Sequence, residues 1–259
     1  MNLELVEYTI KDRIAYISLN RPEKRNAFNE QLVNELKLAF AHAEQEEQVK
    51  IIVLSGNGKA FSAGADLAYL QSLQKYTYEE NLADSNNLKE LYQQIYTCSK
   101  ITIAKIKGHA IAGGAGLATV CDFSYAVPDI LMGYTEVKIG FIPAIVMVFL
   151  LRKINEGKAK ELLLTGKLIS SEEALNLGLI THIFSEEEID EKVHEIAIDL
   201  AISTSAQSIA NTKEMISKVQ QISLTDGFNY AAEMNAKGRG NEDCKKGIAS
   251  FLNKEKISW

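Results

Sequence analysis

Residues 108–116, Gly-His-Ala-Ile-Ala-Gly-Gly-Ala-Gly, decide how the rest of this chain is interpreted. They follow an apolar run at 101–106, which predicts a buried strand, and precede residues 117–122, which suit a short buried helix. Glycines separated by small residues leave the backbone accessible, and N–H groups at a strand-to-helix turn can bind an anion. No Lys-Ser/Thr pair follows, and the spacing is not Gly-x-Gly-x-x-Gly. Two interpretations therefore stay open on this stretch alone, a tightly packed turn and an anion-binding turn.

The composition is typical of a globular protein with a sizeable core. The chain has 259 residues, of which 46% are hydrophobic and 24% charged, which suits one large domain or a main domain with an appendage. The formal net charge is -6, and no cluster of Lys and Arg offsets it. This balance disfavours nucleic-acid binding.

Cysteine usage and hydropathy predict the compartment. Cys98, Cys121 and Cys244 are widely spaced and lack CxxC spacing, which predicts reduced cysteines and no metal site. The N-terminus has acidic residues where a signal peptide needs basic ones, and the longest apolar run, 139–151, is too short to span a membrane. We therefore expect a soluble cytoplasmic protein with no membrane partner.

Periodicity predicts strands alternating with helices up to about residue 185, then helices only. Residues 4–10 and 14–19 are predicted to form a hairpin, and 51–56 a central strand covered on both faces. Asn29 is a predicted helix N-cap. Residues 79–98 predict a helix whose inward side chains are Leu82, Leu88, Leu91 and Ile95.

A second turn of small residues, Ala63-Gly-Ala-Asp66, has the same context as the first. N–H groups from two such turns can form an oxyanion hole, which stabilises negative charge on a carbonyl oxygen. Neither turn supplies a nucleophilic Ser or Cys with a base beside it, so the pattern favours an enolate over covalent acyl transfer. Glu136, in an irregular segment dominated by apolar residues, is the best candidate for the acid or base.

On these residues the chain resembles the enoyl-CoA hydratase/isomerase family, the crotonases, over essentially its whole length. The matching segments are 20–22 with 26–27, 60–67, 108–114, 121–122, 133–140, 164–167 and 173–179. The resemblance implies an α/β fold with a ββα spiral core at residues 1–199 that binds an acyl-CoA thioester. It also implies a helical region at residues 200–259 that assembles a homotrimer or a dimer of trimers. Coenzyme A is part of the substrate, so no separate cofactor is expected.

The resemblance assigns roles to residues at matching positions. The amides of Ala65 and Gly113 would bind the thioester oxygen, with Glu136 as acid and base. The residues expected at the CoA or acyl group are Lys24, Arg25, Ala27, Ala63, Asp66, Leu67, Gly114, Gly116 and Tyr134. For some of them, a structural role is the alternative to contact with the substrate. Lys24 and Arg25 could be solvated loop charges, Asp66 a helix cap, and Tyr134 a packed wall residue.

This sequence departs from the family at one catalytic position. The best-known hydratases of the family use two glutamates; Glu136 matches the second, and the first falls at Gly116, which cannot move a proton. Residues 144–149 are also bulkier than the family's glycine-rich run. Three reactions stay open: hydration of a 2-enoyl-CoA, which the resemblance favours, isomerisation, and decarboxylation of an acyl-CoA with a β-carboxylate. A non-catalytic acyl-CoA binder is the alternative from another class.

Overall fold

The computed structural model describes residues 3–259, and its strands form two sheets. The strands are β1 (Val6–Lys11), β2 (Ile14–Leu19), β3 (Ile51–Gly56), β4 (Ala60–Ser62), β5 (Ile101–Ile106), β6 (His109–Ile111), β7 (Phe123–Ala126), β8 (Leu131–Gly133), β9 (Ile169–Ser170) and β10 (His182–Ile183). The first sheet has the order β1-β2-β3-β5-β7-β10 and the second β4-β6-β8-β9. The pairs β1-β2 and β8-β9 are antiparallel, and the other neighbours are parallel.

Helices cover the sheets and form the C-terminal part of the chain. They are α1 (Glu30–Gln45), α2 (Leu67–Leu73), α3 (Tyr78–Thr97), α4 (Gly113–Val120), α5 (Ala144–Lys153), α6 (Glu156–Thr165), α7 (Ser171–Asn176), α8 (Ile189–Ser203), α9 (Ala206–Val219), α10 (Leu224–Gly240) and α11 (Glu242–Leu252). Within residues 3–259, none of them combines the length and the hydropathy that crossing a lipid bilayer requires.

Three consecutive units repeat one pattern, β3-β4-α2, β5-β6-α4 and β7-β8-α5. In each unit a strand of the first sheet leads to a strand of the second sheet and then to a helix. The predicted α/β fold with ββα units is therefore confirmed. Because β4 and β6 are parallel neighbours, the turns that follow them lie side by side. This places the two small-residue turns of the sequence at one edge of the second sheet.

Local chemistry explains most element boundaries. The hairpin pairs Val6 with Leu19 through Lys11 with Ile14, and Asn29 Oδ1 accepts the Leu32 N–H at 2.9 Å, as predicted. The predicted inward position of Leu82 is wrong, because only the C-terminal half of α3 is buried and Leu82 is 46% exposed.

The C-terminal helices differ from the core in burial. Helix α8 crosses the predicted boundary at 199/200 and keeps Ala197 and Ala201 buried on either side of it. Helices α9, α10 and α11 have no buried residue among those described, and they expose large apolar side chains such as Phe228 and Phe251. The exposed helical region thus begins after α8, and its role in trimer assembly stays a prediction.

Candidate active site

The first turn follows β4 and presents the amide of Ala65. Gly64 has a φ of +80°, a conformation that favours glycine. The Phe28 N–H donates to Gly64 O at 2.7 Å, and Phe28 O accepts the Asp66 N–H at 2.9 Å. Because this bridge uses the peptide groups on either side of Ala65, the Ala65 N–H points away from Phe28. That N–H has no acceptor among the described residues.

The second turn follows β6 and presents the amide of Gly113. Ala112 has φ +50° and ψ −122°, an unusual conformation for a residue with a Cβ. Its N–H donates to Gly133 O at 2.7 Å, and its carbonyl accepts the Gly116 N–H at 3.0 Å. Gly113 is the first residue of α4, where N–H groups have no partner within the helix. Both turns therefore leave an amide free, Ala65 in the first and Gly113 in the second.

The two turns are in direct contact. A Cβ added at Gly64 would lie 2.9 Å from Ile111 O and 3.0 Å from Gly113 N. Glycine is therefore required at position 64 for its φ and for the close approach of the second turn. Two free N–H groups on touching turns are the arrangement that an oxyanion hole needs.

Glu136 begins a short 3₁₀ helix, Glu136–Ile139, after β8. The residue is buried, and its Oε2 atom has no hydrogen-bond partner among the described residues. Burial raises the pKa of the Glu136 carboxyl, because the charged form loses solvation. A buried carboxyl with a free oxygen and a raised pKa is suited to accept and return a proton.

A cavity of about 560 Å³ joins these groups. Both turns and Glu136 contribute to its wall, and residues 139–146 supply an apolar side. On another side, the Tyr69 hydroxyl donates to Asp84 Oδ1 at 2.5 Å and links α2 to α3. A largely apolar cavity with a few convergent polar groups is typical of a small-molecule site.

Most of the residues singled out in the sequence meet at this cavity. Its wall includes Lys24, Ala27, Ala63, Ala65, Asp66, Leu67, Gly113 and Glu136. Asp66 also has a structural role, because its carboxylate accepts the Arg21 Nη1 donor at 2.8 Å and caps α2 through the Ala68 N–H at 3.0 Å. The contacts of these residues with CoA stay predictions.

Three further predicted residues lie outside the wall. Arg25 is exposed in the loop, at φ +53°. Gly114 faces β4, where an added Cβ would lie 2.3 Å from Ser62 O. Tyr134 is fully buried, and its hydroxyl bonds to the Thr119 hydroxyl at 2.6 Å. Gly114 and Tyr134 thus hold α4 in place, and the contacts of all three residues with CoA or an acyl group stay predictions.

Gly116 lies outside the wall as well, because neighbouring side chains cover it. A Cβ added at Gly116 would lie 2.2 Å from Val146 Cγ1 and 3.1 Å from Tyr92 Cε1. No space is left for a glutamate at this position. Glu136 is therefore the acid that reaches the cavity from this side.

The sequence reasoning missed Tyr92, which lines the cavity and donates its hydroxyl to Gly113 O at 2.6 Å. A tyrosine on the apolar face of a helix was the available signal, since a buried hydroxyl needs a partner.

Other reactive groups lie away from the cavity. Burial raises the pKa of the Cys98 thiol, and that of Cys121 to about 12, so both stay protonated and unreactive. Within residues 3–259, no group of three His, Cys, Asp or Glu side chains is arranged to hold a metal ion.

Comparisons with known proteins indicate one family for this chain. A family model described as enoyl-CoA hydratase/isomerase matches residues 9–259. A Thermus thermophilus protein, provisionally named an enoyl-CoA hydratase, is 41% identical over 94% of this chain and 96% of its own. The crotonyl-CoA hydratase of Syntrophomonas wolfei is 29% identical over 96% of this chain and 95% of its own. The crystal structure of an enoyl-CoA hydratase from Shewanella pealeana superposes with a TM-score of 0.92 at 29% identity, covering 99% and 96% of the two chains.

Proposed function

This chain belongs to the enoyl-CoA hydratase/isomerase family, and on that premise we propose that it adds water to a 2-enoyl-CoA with Glu136 as the single acid and base. The observation that supports this most is the buried, unpartnered Oε2 of Glu136 in the same cavity as the amides of Ala65 and Gly113. Glu136 can then move a proton, while the two amides stabilise the negative charge that forms on the thioester oxygen.

The proposed reaction uses each of these groups in turn. The thioester oxygen accepts hydrogen bonds from the Ala65 and Gly113 N–H groups. Glu136 takes a proton from water as the water oxygen bonds to the β-carbon, and the electrons of the double bond pass into an enolate at the thioester. The enolate is stabilised by the two amides. Glu136 then returns the proton to the α-carbon, which regenerates the carboxylate.

The pH dependence follows from the raised pKa of Glu136. Only the deprotonated carboxylate can take a proton from water, so hydration is lost as pH falls through that pKa. We expect the acidic limb of the kcat profile for crotonyl-CoA hydration to lie above the ordinary range of a glutamate. An acidic limb within the ordinary range would contradict the assignment.

The direct test is Glu136→Gln, which keeps the shape of the side chain and removes the base. We expect hydration of crotonyl-CoA, followed as loss of its conjugated absorbance, to fall by about a hundredfold or more with binding retained. Glu172→Gln, an exposed change at the start of α7, is the control and should leave turnover unchanged. Binding of crotonyl-CoA by a wild type that turns over neither crotonyl-CoA nor 3-butenoyl-CoA would indicate an acyl-CoA binder.

Isomerisation is the second candidate, and the closed position at Gly116 favours it. With Val146 and Tyr92 covering that position, Glu136 is the one acid of the two-glutamate pair that remains. Glu136 would take a proton from the α-carbon of a 3-enoyl-CoA and return it to the γ-carbon. Conversion of 3-butenoyl-CoA to crotonyl-CoA, without hydration of crotonyl-CoA, would establish this reaction.

Self-association is part of the same proposal. Helices α9 to α11 expose Leu224, Phe228, Phe251 and Leu252, each 69% exposed or more. Apolar side chains at this density on unburied helices support an oligomer interface. Light scattering of the purified protein at the mass of three or six chains is the expected result.

A further inference from the structure

Tyr92 is the side chain that connects α3 to the second turn. It lies on the inward face of α3, is fully buried, and contributes to the cavity wall. Its hydroxyl donates to Gly113 O at 2.6 Å. The role proposed for Gly113 uses its N–H, and this bond acts on the carbonyl of the same residue.

The Tyr92 bond adds a restraint from a separate helix to those that the main chain of the second turn already supplies. Glycine rotates about its backbone bonds more freely than any other residue, so its two peptide planes can turn independently. The plane that carries the Gly113 N–H also carries Ala112 O, which accepts the Gly116 N–H at 3.0 Å. Tyr92 restrains the second plane through the Gly113 carbonyl, so that with this bond both planes are held and the start of α4 is fixed against α3.

The preceding residue increases the need for such a restraint. Ala112 is held at φ +50° and ψ −122°, where a side chain is unfavourable. An unfavourable conformation persists only where surrounding contacts determine it. Main-chain bonds from the Ala112 N–H to Gly133 O and from the Gly116 N–H to Ala112 O hold one side of the turn. Tyr92 holds the other side from a separate helix.

Tyr92 is itself held in place. Its ring stacks on Phe149 with 5.9 Å between centroids and 20° between planes, and its edge lies over Gly116. Burial, together with the charge of Glu136, raises the pKa of Tyr92, so the hydroxyl stays protonated and remains a donor. Gly116 thus makes room for the ring that supports the turn.

We infer that Tyr92 is a positioning residue, which holds the Gly113 amide in the direction needed to stabilise the enolate. The inference rests on the proposed function. It assigns to α3 a role in the reaction that the two turns and Glu136 alone do not reveal.

The test is Tyr92→Phe, which keeps the stacked ring and removes the hydrogen bond. The probe is 4-(dimethylamino)cinnamoyl-CoA, whose absorption moves to longer wavelength when its carbonyl oxygen accepts strong hydrogen bonds. We expect the variant to bind the probe with about the same Kd but with a clearly smaller red shift. Its kcat for crotonyl-CoA should fall about tenfold or more with little change in KM, because a misdirected amide acts mainly on the transition state.

Two variants make the result specific. Tyr96→Phe, on the same helix and beside the same Phe149 ring, lies outside the cavity wall and should keep both the red shift and kcat. Glu136→Gln should keep the red shift while losing turnover, since the amides are untouched.

The other outcomes overturn the inference. An unchanged red shift in Tyr92→Phe would do so, whether or not kcat falls, because the effect would not pass through the amide. A wild type with neither red shift nor turnover would reject the proposed function and this inference with it. Normal wild-type behaviour with an unaltered Tyr92→Phe variant rejects this inference alone.

Discussion

Each of the two turns at the edge of the second sheet presents an amide, but the two turns differ in backbone strain and in the contacts that hold them. In both, the residue before the free N–H has a positive φ, +80° at Gly64 and +50° at Ala112. Gly64 adopts this conformation without strain, whereas Ala112 carries a Cβ there. The first turn is held by the Phe28 main chain and by the Arg21–Asp66 ion pair. The second is held by neutral hydrogen bonds, one of them from Tyr92.

The conformation of the first turn is favoured by its own residues, whereas that of the second turn is imposed by its neighbours. The first turn has the glycine that its conformation requires, and its neighbours add to a shape that it already favours. The second turn depends on contacts from β8 and α3 to remain in a conformation that alanine disfavours. Changes at the first turn should therefore act through steric contact and charge, and changes at the second through strain and packing.

The largest effect is expected at Gly64, where both turns meet. Gly64→Ala places a Cβ against Ile111 O and Gly113 N and should push the two amides apart. We expect kcat for crotonyl-CoA hydration to fall by about a hundredfold or more. Gly178→Ala is the matched control, since Gly178 has a φ of +77° and nothing within 4 Å of an added Cβ. Equal losses in the two variants would show that backbone strain, and not contact between the turns, is responsible.

A smaller effect, on stability, is expected behind the second turn. Gly116→Ala would force its methyl group into Val146, and overpacking of this kind costs about 2 kcal/mol of unfolding free energy. The double variant with Val146→Ala should recover part of the loss. Gly238→Ala, in α10 with open space around it, should not destabilise. Urea unfolding of the four proteins measures these differences, and a stable Gly116→Ala would contradict the packing described.

Because the Arg21–Asp66 ion pair holds the first turn, we expect its contribution to the unfolding free energy to depend on pH. Hydrogen bonds and the charge of Arg21 outweigh burial and lower the pKa of Asp66 in the folded protein. The resulting stabilisation is present above the unfolded pKa and is lost as pH falls through the folded one. Asp66→Asn should therefore lower the unfolding free energy by about 1 kcal/mol at neutral pH, and the difference should shrink in acid. A difference that does not change with pH would exclude the charge as its cause.

The smallest effect is expected at Ala112. Ala112→Gly removes the strain of the positive φ but adds freedom to the unfolded chain, so the two contributions partly cancel. We expect the unfolding free energy to rise by about 0.5 kcal/mol, equally at neutral and acidic pH. Thermal unfolding at two pH values measures this, and a destabilised variant would show that alanine is not strained there.

Much of the fold could be predicted because its signals are local. Asn29 caps α1 through a bond within one turn of helix, and alternation along 4–19 gives the hairpin. The position of the candidate cavity was predictable too, since two small-residue turns that follow parallel neighbouring strands lie at the same sheet edge.

Side-chain contacts between distant elements were not predictable in the same way. Tyr134 lies two residues before Glu136 in the chain but is buried against Thr119 of α4. Tyr92 reaches Gly113 only because α3 packs on α4, and nothing near Tyr92 in the chain indicates that partner. The period of a helix predicts which face is inward, but not which backbone group a buried hydroxyl meets.

The close packing of Gly116 against Val146 also limits which substitutions this chain can accept during evolution. A glutamate at 116 collides with Val146, and a smaller residue at 146 alone leaves a cavity beside Tyr92. Each change by itself is costly, and only the pair opens space for a second acid, so the two substitutions are epistatic. With this core, a second glutamate at position 116 therefore requires two substitutions rather than one.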